Sequence, residues 1–319
     1  MSSSQSQLVI GVDLGGTTVK TGLVSADGTV VYKTKLPSRG AEGPAAVVMQ
    51  IEASIRDAMQ HANGKPVTGI GVGAPGMVND RGVVQAPPNL DRWDVVPLKD
   101  EIQKLFNGVR IEIENDANAA GLAEAKFGAG RQFPNFLFVI WGTGVGGGII
   151  LNGKIYRGPT GGAGEIGHIS IDYNGPDCNC GGRGCVEAFV GQRYLSKRTA
   201  ERLKQHPTSK ILELVGGDVS KIEPYYIAQA AHDGDALAKE ILIEASKLLG
   251  VAIGAVMNTL DLRVSILGGG ISAAGDFAIR AVEDSVRANV LKPLRQDIRV
   301  LPAQLGNNAG ILGAAGLVL

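Results

Sequence analysis

Between Gly161 and Glu187 (GGAGEIGHISIDYNGPDCNCGGRGCVE) lie all three cysteines of the chain and one of its four histidines. Cys178, Cys180 and Cys185 fall within eight residues, and His168 stands ten positions before the first of them. Three thiolates and one imidazole make a complete tetrahedral shell for Zn²⁺, of the closed, structural kind. The loop is polar and rich in glycine, unlike the apolar surroundings of an unreactive core cysteine. An odd count and the one-residue spacing of Cys178 and Cys180 argue against a disulfide. Glu165 and Glu187 bracket the set without being needed as ligands. A metal-bound histidine offers its other ring nitrogen to a partner. If that partner is a substrate hydroxyl, the zinc orients a binding site and is not a Lewis acid. As solvated loop charges the two glutamates need no role, and spacing alone leaves both readings open.

A second constellation is Glu114-Asn115-Asp116, which ends the strand pattern Val109–Ile113 and opens a helical pattern over Ala117–Lys126. Asn or Asp at such a junction is an N-cap. A carboxylate at a strand's end, beside the ligand-binding edge of an α/β sheet, is also placed as a general base. The local pattern favours the cap and leaves the base open.

Two glycine turns follow apolar strands. Leu8–Leu14 leads into Gly15-Gly16-Thr17-Thr18 and a returning strand; Phe136–Trp141 leads into Gly142-Thr143-Gly144 and a returning strand. Consecutive backbone N–H groups and hydroxyls in such turns suit an anion. About 130 residues apart, they predict an internal duplication. Neither is a P-loop. Gly142, Gly144 and Gly147 match G-x-G-x-x-G, but a strand and the Asn152-Gly153 hairpin follow where a dinucleotide site needs a helix. Asp13 is placed to hold Mg²⁺ through water, or to cap its turn. Gly73-Ala74-Pro75-Gly76 and Gly268-Gly269-Gly270 also follow strands. The 46 glycines therefore suggest backbone lying against a ligand.

Around these loops, Pro44–Ala62, Leu98–Phe106, Leu195–Lys204, Ile227–Leu260 and Asn307–Leu317 read as helices, and Val67–Val72, Arg263–Leu267 and Ile298–Leu301 as strands. The 319 residues suffice for two domains. With no low-complexity linker, the boundary is expected within 117–135. This gives a small α/β domain, 1–120, and a large one with the zinc loop, 121–305, while the helix near 306–319 packs back on the first. Lys+Arg and Asp+Glu are both 31, which argues against nucleic-acid and membrane-surface binding. No apolar run reaches membrane-span length, and MSSSQSQ lacks the features of a signal peptide. With reduced cysteines, this predicts a cytoplasmic protein.

Taken together, DLGGTTVK (13–20), GAPG (73–76), ENDANAA (114–120), GTGVGGG (142–148), GEIGH (164–168), CNCGGRGCVE (178–187) and LGGG (267–270) resemble the ROK family (repressors, open reading frames, kinases). Within it, they resemble the bacterial ATP-dependent glucokinases. GEIGH with CxCGxxGCxE is the specific pair, and all the motifs occur in the family's order across nearly the whole chain.

The resemblance implies an α/β fold of the actin-like ATPase (duplicated ribonuclease H-like) kind, two domains with a cleft between them. It implies Asp116 as the catalytic base, with Asn115, Asp116, Glu165, His168 and Glu187 on the sugar hydroxyls. His168, Cys178, Cys180 and Cys185 would hold structural Zn²⁺. Gly15, Gly16, Thr17, Thr18, Gly142, Thr143 and Gly144 would hold the ATP phosphates, Asp13 would take part in the Mg²⁺ site, and Gly268, Gly269 and Gly270 would border the adenosine. The implied reaction is transfer from MgATP to the 6-hydroxyl of glucose, in a homodimer or homotetramer. Kinases for N-acetylmannosamine, fructose or allose share the motifs; the Asn89–Leu98 stretch, NLDRWDVVPL, favours glucose. A sugar-sensing repressor of the same family is the alternative from another class. Repressors carry an N-terminal helix-turn-helix, for which the first strand at Leu8 is expected to leave no room.

Overall fold

The computed structural model describes residues 7–87, 90–270 and 274–319. Asn89, first residue of the stretch that favours glucose, lies outside them. The chain begins with β1 (Leu8–Leu14), β2 (Thr18–Ser25), β3 (Val30–Pro37), α1 (Pro44–Gln60) and β4 (Val67–Ala74). Short strands β5 (Met77–Val78), β6 (Val84–Gln85) and β7 (Val95–Val96) precede α2 (Leu98–Leu105), β8 (Arg110–Asn115) and α3 (Asp116–Phe127). Next come β9 (Phe136–Trp141), β10 (Val145–Leu151), β11 (Lys154–Ile155), α4 (Glu187–Val190), α5 (Gln192–Leu203), α6 (Lys210–Leu214) and α7 (Pro224–His232). The last are α8 (Ala236–Leu260), β12 (Val264–Gly268), α9 (Asp276–Asn289), β13 (Arg299–Pro302) and α10 (Ala309–Gly316). They group into two compact units, one of Met1–Pro134, Gly148–Gly164 and Gln304–Leu319, the other of Asn135–Gly147 and Glu165–Ala303.

In the first unit the sheet order is β3-β2-β1-β4-β8. β1 pairs antiparallel with β2 and parallel with β4, and β4 pairs parallel with β8. Central β1 is covered on both faces, which accounts for its apolar run from Leu8 to Val12, whereas edge strand β3 alternates. One face takes α1, whose Val47, Ile51, Ile55 and Ala58 pack with Ile10, Val12, Leu23 and Ile70. Their spacing of three and four residues makes a single helical stripe. The other face takes α3 and α10, with Ala123, Ile311, Leu312, Ala315 and Val318 against Val9 and Val24.

Two strand glycines let α10 come so close. A Cβ on Gly11 would fall 2.0 Å from the carbonyl oxygen of Ile311, and one on Gly71 would fall 1.8 Å from that of Ala314. At these positions the glycine excess serves helix packing and not a ligand. Glu124 of α3, fully buried, fastens the flanking chain. Its Oε1 accepts the N–H groups of Gln304 and Leu305, both at 3.0 Å, and its Oε2 accepts that of Ala129 at 2.8 Å. The Lys126 ammonium donates to the carbonyl of Gly316 at 2.7 Å, at the far end of α10.

The second sheet has the order β11-β10-β9-β12-β13, in which β9, β12 and β13 run parallel. Phe136, Phe138 and Trp141 of β9 are buried, as strand-core residues. The helical pattern of Ile227–Leu260 divides at Gly234, which has φ +88°, and Asp235 then caps α8 by accepting the N–H of Ala238 at 2.9 Å. Along α8 packs α9, which was not expected from the sequence although Ala278, Ala281, Val282, Ser285 and Val286 form a buried stripe. Among the described residues no helix is long and apolar enough to cross a membrane.

Candidate active site and metal centre

In the first unit the chemistry gathers where β1, β4 and β8 end. Asp13, Gly73 and Glu114 lie in one transverse row of the parallel strands, and so face the same side. Gly73 stands in the middle: a Cβ there would come 3.7 Å from the Cα of Asp116. Asp13 pairs across the β1–β2 hairpin with Lys20, Nζ to Oδ2 at 3.2 Å. Lys20 belongs to the DLGGTTVK motif but received no role from the sequence; the antiparallel register sets it opposite Asp13. A Cβ on Gly310, just inside α10, would meet the Asp13 carboxyl carbon at 2.5 Å, so the helix start abuts this carboxylate.

The turn Gly15–Thr18 closes by the Gly15 N–H donating to the Thr18 carbonyl at 2.8 Å. Ser38 braces it, its N–H donating to the Thr17 carbonyl at 2.9 Å and its hydroxyl to that of Gly16 at 2.6 Å. Thr17, at the tip, is exposed.

At the β8–α3 junction the cap is Asn115, one residue earlier than Asp116. Its Oδ1 accepts the N–H groups of Ala117 at 2.9 Å and Asn118 at 3.1 Å, and its Nδ2 donates to the Gly76 carbonyl at 3.0 Å. Asp116 is the first residue of the helix, exposed, with Oδ1 accepting the Ala117 N–H at 2.8 Å. The capping duty that made its role ambiguous therefore falls mainly to its neighbour. Behind both lies Glu114, 1% exposed and ion-paired with Arg157. From the sequence Glu114 reads only as part of the strand's end, without a role of its own, and Arg157 has no reading at all, since a glutamate at a strand's end gives no signal of a partner 43 residues away.

In the second unit, Gly142–Gly144 forms a turn like the first. The Gly142 N–H donates to the Gly144 carbonyl at 3.0 Å, and the tip residue Thr143 is again exposed. Its carbonyl accepts the Gln192 N–H at 3.0 Å. Glu187 supports the turn from behind, Oε2 accepting the N–H of Val145 at 2.9 Å. A Cβ on Gly144 would lie 2.4 Å from that oxygen, so a side chain there would displace the carboxylate from its present place. Gly268 ends β12, and Gly269 (φ +89°) presses on the end of β9, where a Cβ would fall 2.1 Å from the Trp141 carbonyl oxygen.

The ligating atoms of His168, Cys178, Cys180 and Cys185 lie within 4.8 Å of one another. Cys180 and Cys185 sulfurs are 3.7 Å apart, as are the Cys178 sulfur and His168 Nδ1. A tetrahedron with ~2.3 Å metal–sulfur bonds has edges of about 3.8 Å. The separations therefore fit a Zn²⁺ shell and exceed a disulfide bond, and all three cysteines are free. Burial pushes the Cys185 thiol up to about 12, and the neighbouring Cys180 and Cys178 add to the shift. Burial also raises Cys178, while the Gly182 N–H, donating to the sulfur of Cys180, lowers Cys180. Such a set would lose its protons to solvent on binding a divalent cation, whose charge reverses the penalty for clustered thiolates. With Nδ1 turned to the sulfurs, His168 presents Nε2 on the other side of an exposed ring. Glu165, three residues before it, is exposed at the start of the single turn Ile166–His168.

The ROK family model matches residues 9–319 of this chain. A glucokinase of Thermotoga maritima is 34% identical over 97% of this chain and 96% of its own. The crystal structure of a ROK family glucokinase from Streptomyces griseus, in complex with glucose and AMPPNP, is 35% identical. It superposes with a TM-score of 0.85 over 98% of this chain and 99% of that one. A xylose repressor of Bacillus subtilis is 30% identical over 97% of this chain and 76% of the repressor.

Proposed function

We propose that this chain, which belongs to the ROK family and has the actin-like sugar-kinase fold, transfers the γ-phosphoryl group of ATP to the 6-hydroxyl of glucose. The observation that carries the reading is the full-length likeness to glucokinases, one of them holding glucose and an ATP analogue, joined to an exposed Asp116 beside its capping neighbour.

In this reading Asp116 accepts the proton of the 6-hydroxyl as its oxygen attacks the γ-phosphorus, while ADP departs on the opposite side. Asn115 has most of its amide committed to the helix cap and to Gly76, and keeps one Nδ2 hydrogen for a sugar hydroxyl. Glu165 and Glu187 accept sugar hydroxyls, and His168 holds another through Nε2. The Gly15–Thr18 and Gly142–Gly144 turns offer their backbone to the phosphates, with Gly268–Gly270 bordering the adenosine. Asp13 is one carboxylate beside a phosphate turn, the donor set on which Mg²⁺ relies when substrate phosphates and water supply the rest. Mg²⁺ there would neutralise phosphate charge. Zn²⁺ on His168, Cys178, Cys180 and Cys185 would be structural, fixing the imidazole. Xylose-repressor likeness keeps a sugar-sensing role as the contrary outcome of a simple assay. Incubation with ATP and a panel of glucose, fructose, N-acetylmannosamine and allose should release ADP fastest with glucose. No ADP release with any hexose would overturn the kinase reading.

A further inference from the structure

We propose that Glu114 and Arg157 are a positioning pair for Asp116, fixing the helix start that carries it and balancing the charge beside it. The inference rests on Asp116 being the base. Glu114 Oε1 accepts the N–H of Asn115 at 2.9 Å and the Nδ2 amide of Asn118 at 3.0 Å, and so grips the chain on both sides of Asp116. Its other oxygen is paired with Arg157 Nε. Asn118 is held by this carboxylate, since its buried Oδ1 has no partner among the described residues. Arg157 comes from the segment after β11 and remains 44% exposed. Lone Glu114 would be a buried negative charge two residues from a base that must ionise; the guanidinium cancels it.

Asp13–Lys20, in the same row, is a second ion pair on this side of the sheet, and Glu112, one row further back on β8, is itself paired with Lys99 and Arg110. Packed β4 and α10 contribute no ionisable side chain. Asp116 therefore stands over Gly73 between two pairs, each neutral in sum. A buried ion pair is weak evidence for stability, because packed apolar residues often serve as well. Its place next to the base gives it a use in positioning.

The test is the pH dependence of kcat/KM for glucose in the wild type, E114Q, R157Q and the double variant, with D116N as control. E114Q leaves the Arg157 charge uncompensated and moves the acidic limb down by roughly half a pH unit. R157Q leaves a carboxylate that still accepts from Asn115 and Asn118, and moves the limb up by a similar amount. The double variant returns it to the wild-type position. A pair with only a structural role would lower Tm and leave all limbs in place. Should E114Q fail to fold, R157Q, altered at a half-exposed residue, still reads the upward shift. Unmoved limbs with an inactive D116N overturn this inference and leave the base standing. Near-normal turnover in D116N overturns the base and this inference with it.

Discussion

The Glu187 carboxylate accepts the backbone N–H of Val145 at 2.9 Å, which joins the end of the cysteine loop to the strand leaving the Gly142–Gly144 turn. A residue proposed to bind sugar thus also shapes a turn proposed to bind phosphate. Glu187→Gln removes the charge-assisted bond and sets an amide against the turn. Losing about 1–2 kcal/mol there should raise KM for ATP several-fold, alongside that for glucose. An unchanged KM for ATP would show that the bond does not hold the turn in its working shape.

The cysteine cluster predicts about one zinc per chain in the purified protein. Cys180→Ser removes an exposed candidate ligand and should lose metal and glucose affinity together, while the circular dichroism spectrum keeps its shape, since the core of the first unit does not include the loop. Native protein without zinc by metal analysis contradicts the assignment.

Gly11→Ala tests the packing of α10. The new methyl would fall 2.0 Å from a backbone oxygen that no rotamer change can move. A loss of roughly 1–3 kcal/mol or more is expected, read as a lower Tm. An unaltered Tm would mean that α10 does not lie so close.

Much of this site is legible in the sequence because its signals are local. Four residues of metal-ligating type in one loop, and two strand–glycine–strand turns, are patterns of neighbouring residues, and the structure builds both turns with an exposed threonine at the tip. What was missed is long-range. Glu124 lies in the helical pattern Ala117–Lys126 with nothing local to mark it, yet it is buried because the backbone of residues 304 and 305 returns to it. Glu114 and Arg157 meet for the same reason. Gly11 and Gly71 fall inside strand patterns, but nothing local shows why glycine is needed there until α10 is seen to lie against them. The one-residue shift of the cap from Asp116 to Asn115 shows the opposite case, in which two adjacent residue types fit one local rule equally well.

Asp235 gives a pH-dependent prediction. Burial alone would raise its value, but the Ser209 hydroxyl and the N–H groups of Ala238 and Lys210 outweigh it, and the carboxyl lies below its usual 3.8. A depressed carboxylate contributes stability in full above its unfolded value, and that contribution is lost as pH falls through the folded value. Asp235→Asn should therefore destabilise by about 1–2 kcal/mol near neutral pH, and the Tm difference from wild type should close below 3.8. A difference that stays constant down to acid pH would assign the effect to packing.

The central claim is that Asp116 accepts the proton of the attacking hydroxyl, and turnover of Asp116→Asn measures it most directly. The cap is on Asn115, so the change leaves the helix start intact and Tm should barely move. With the base gone, kcat for glucose should fall by roughly 10²–10⁴, while KM for ATP changes little. A variant that folds normally and keeps near-wild-type kcat on glucose would contradict the account.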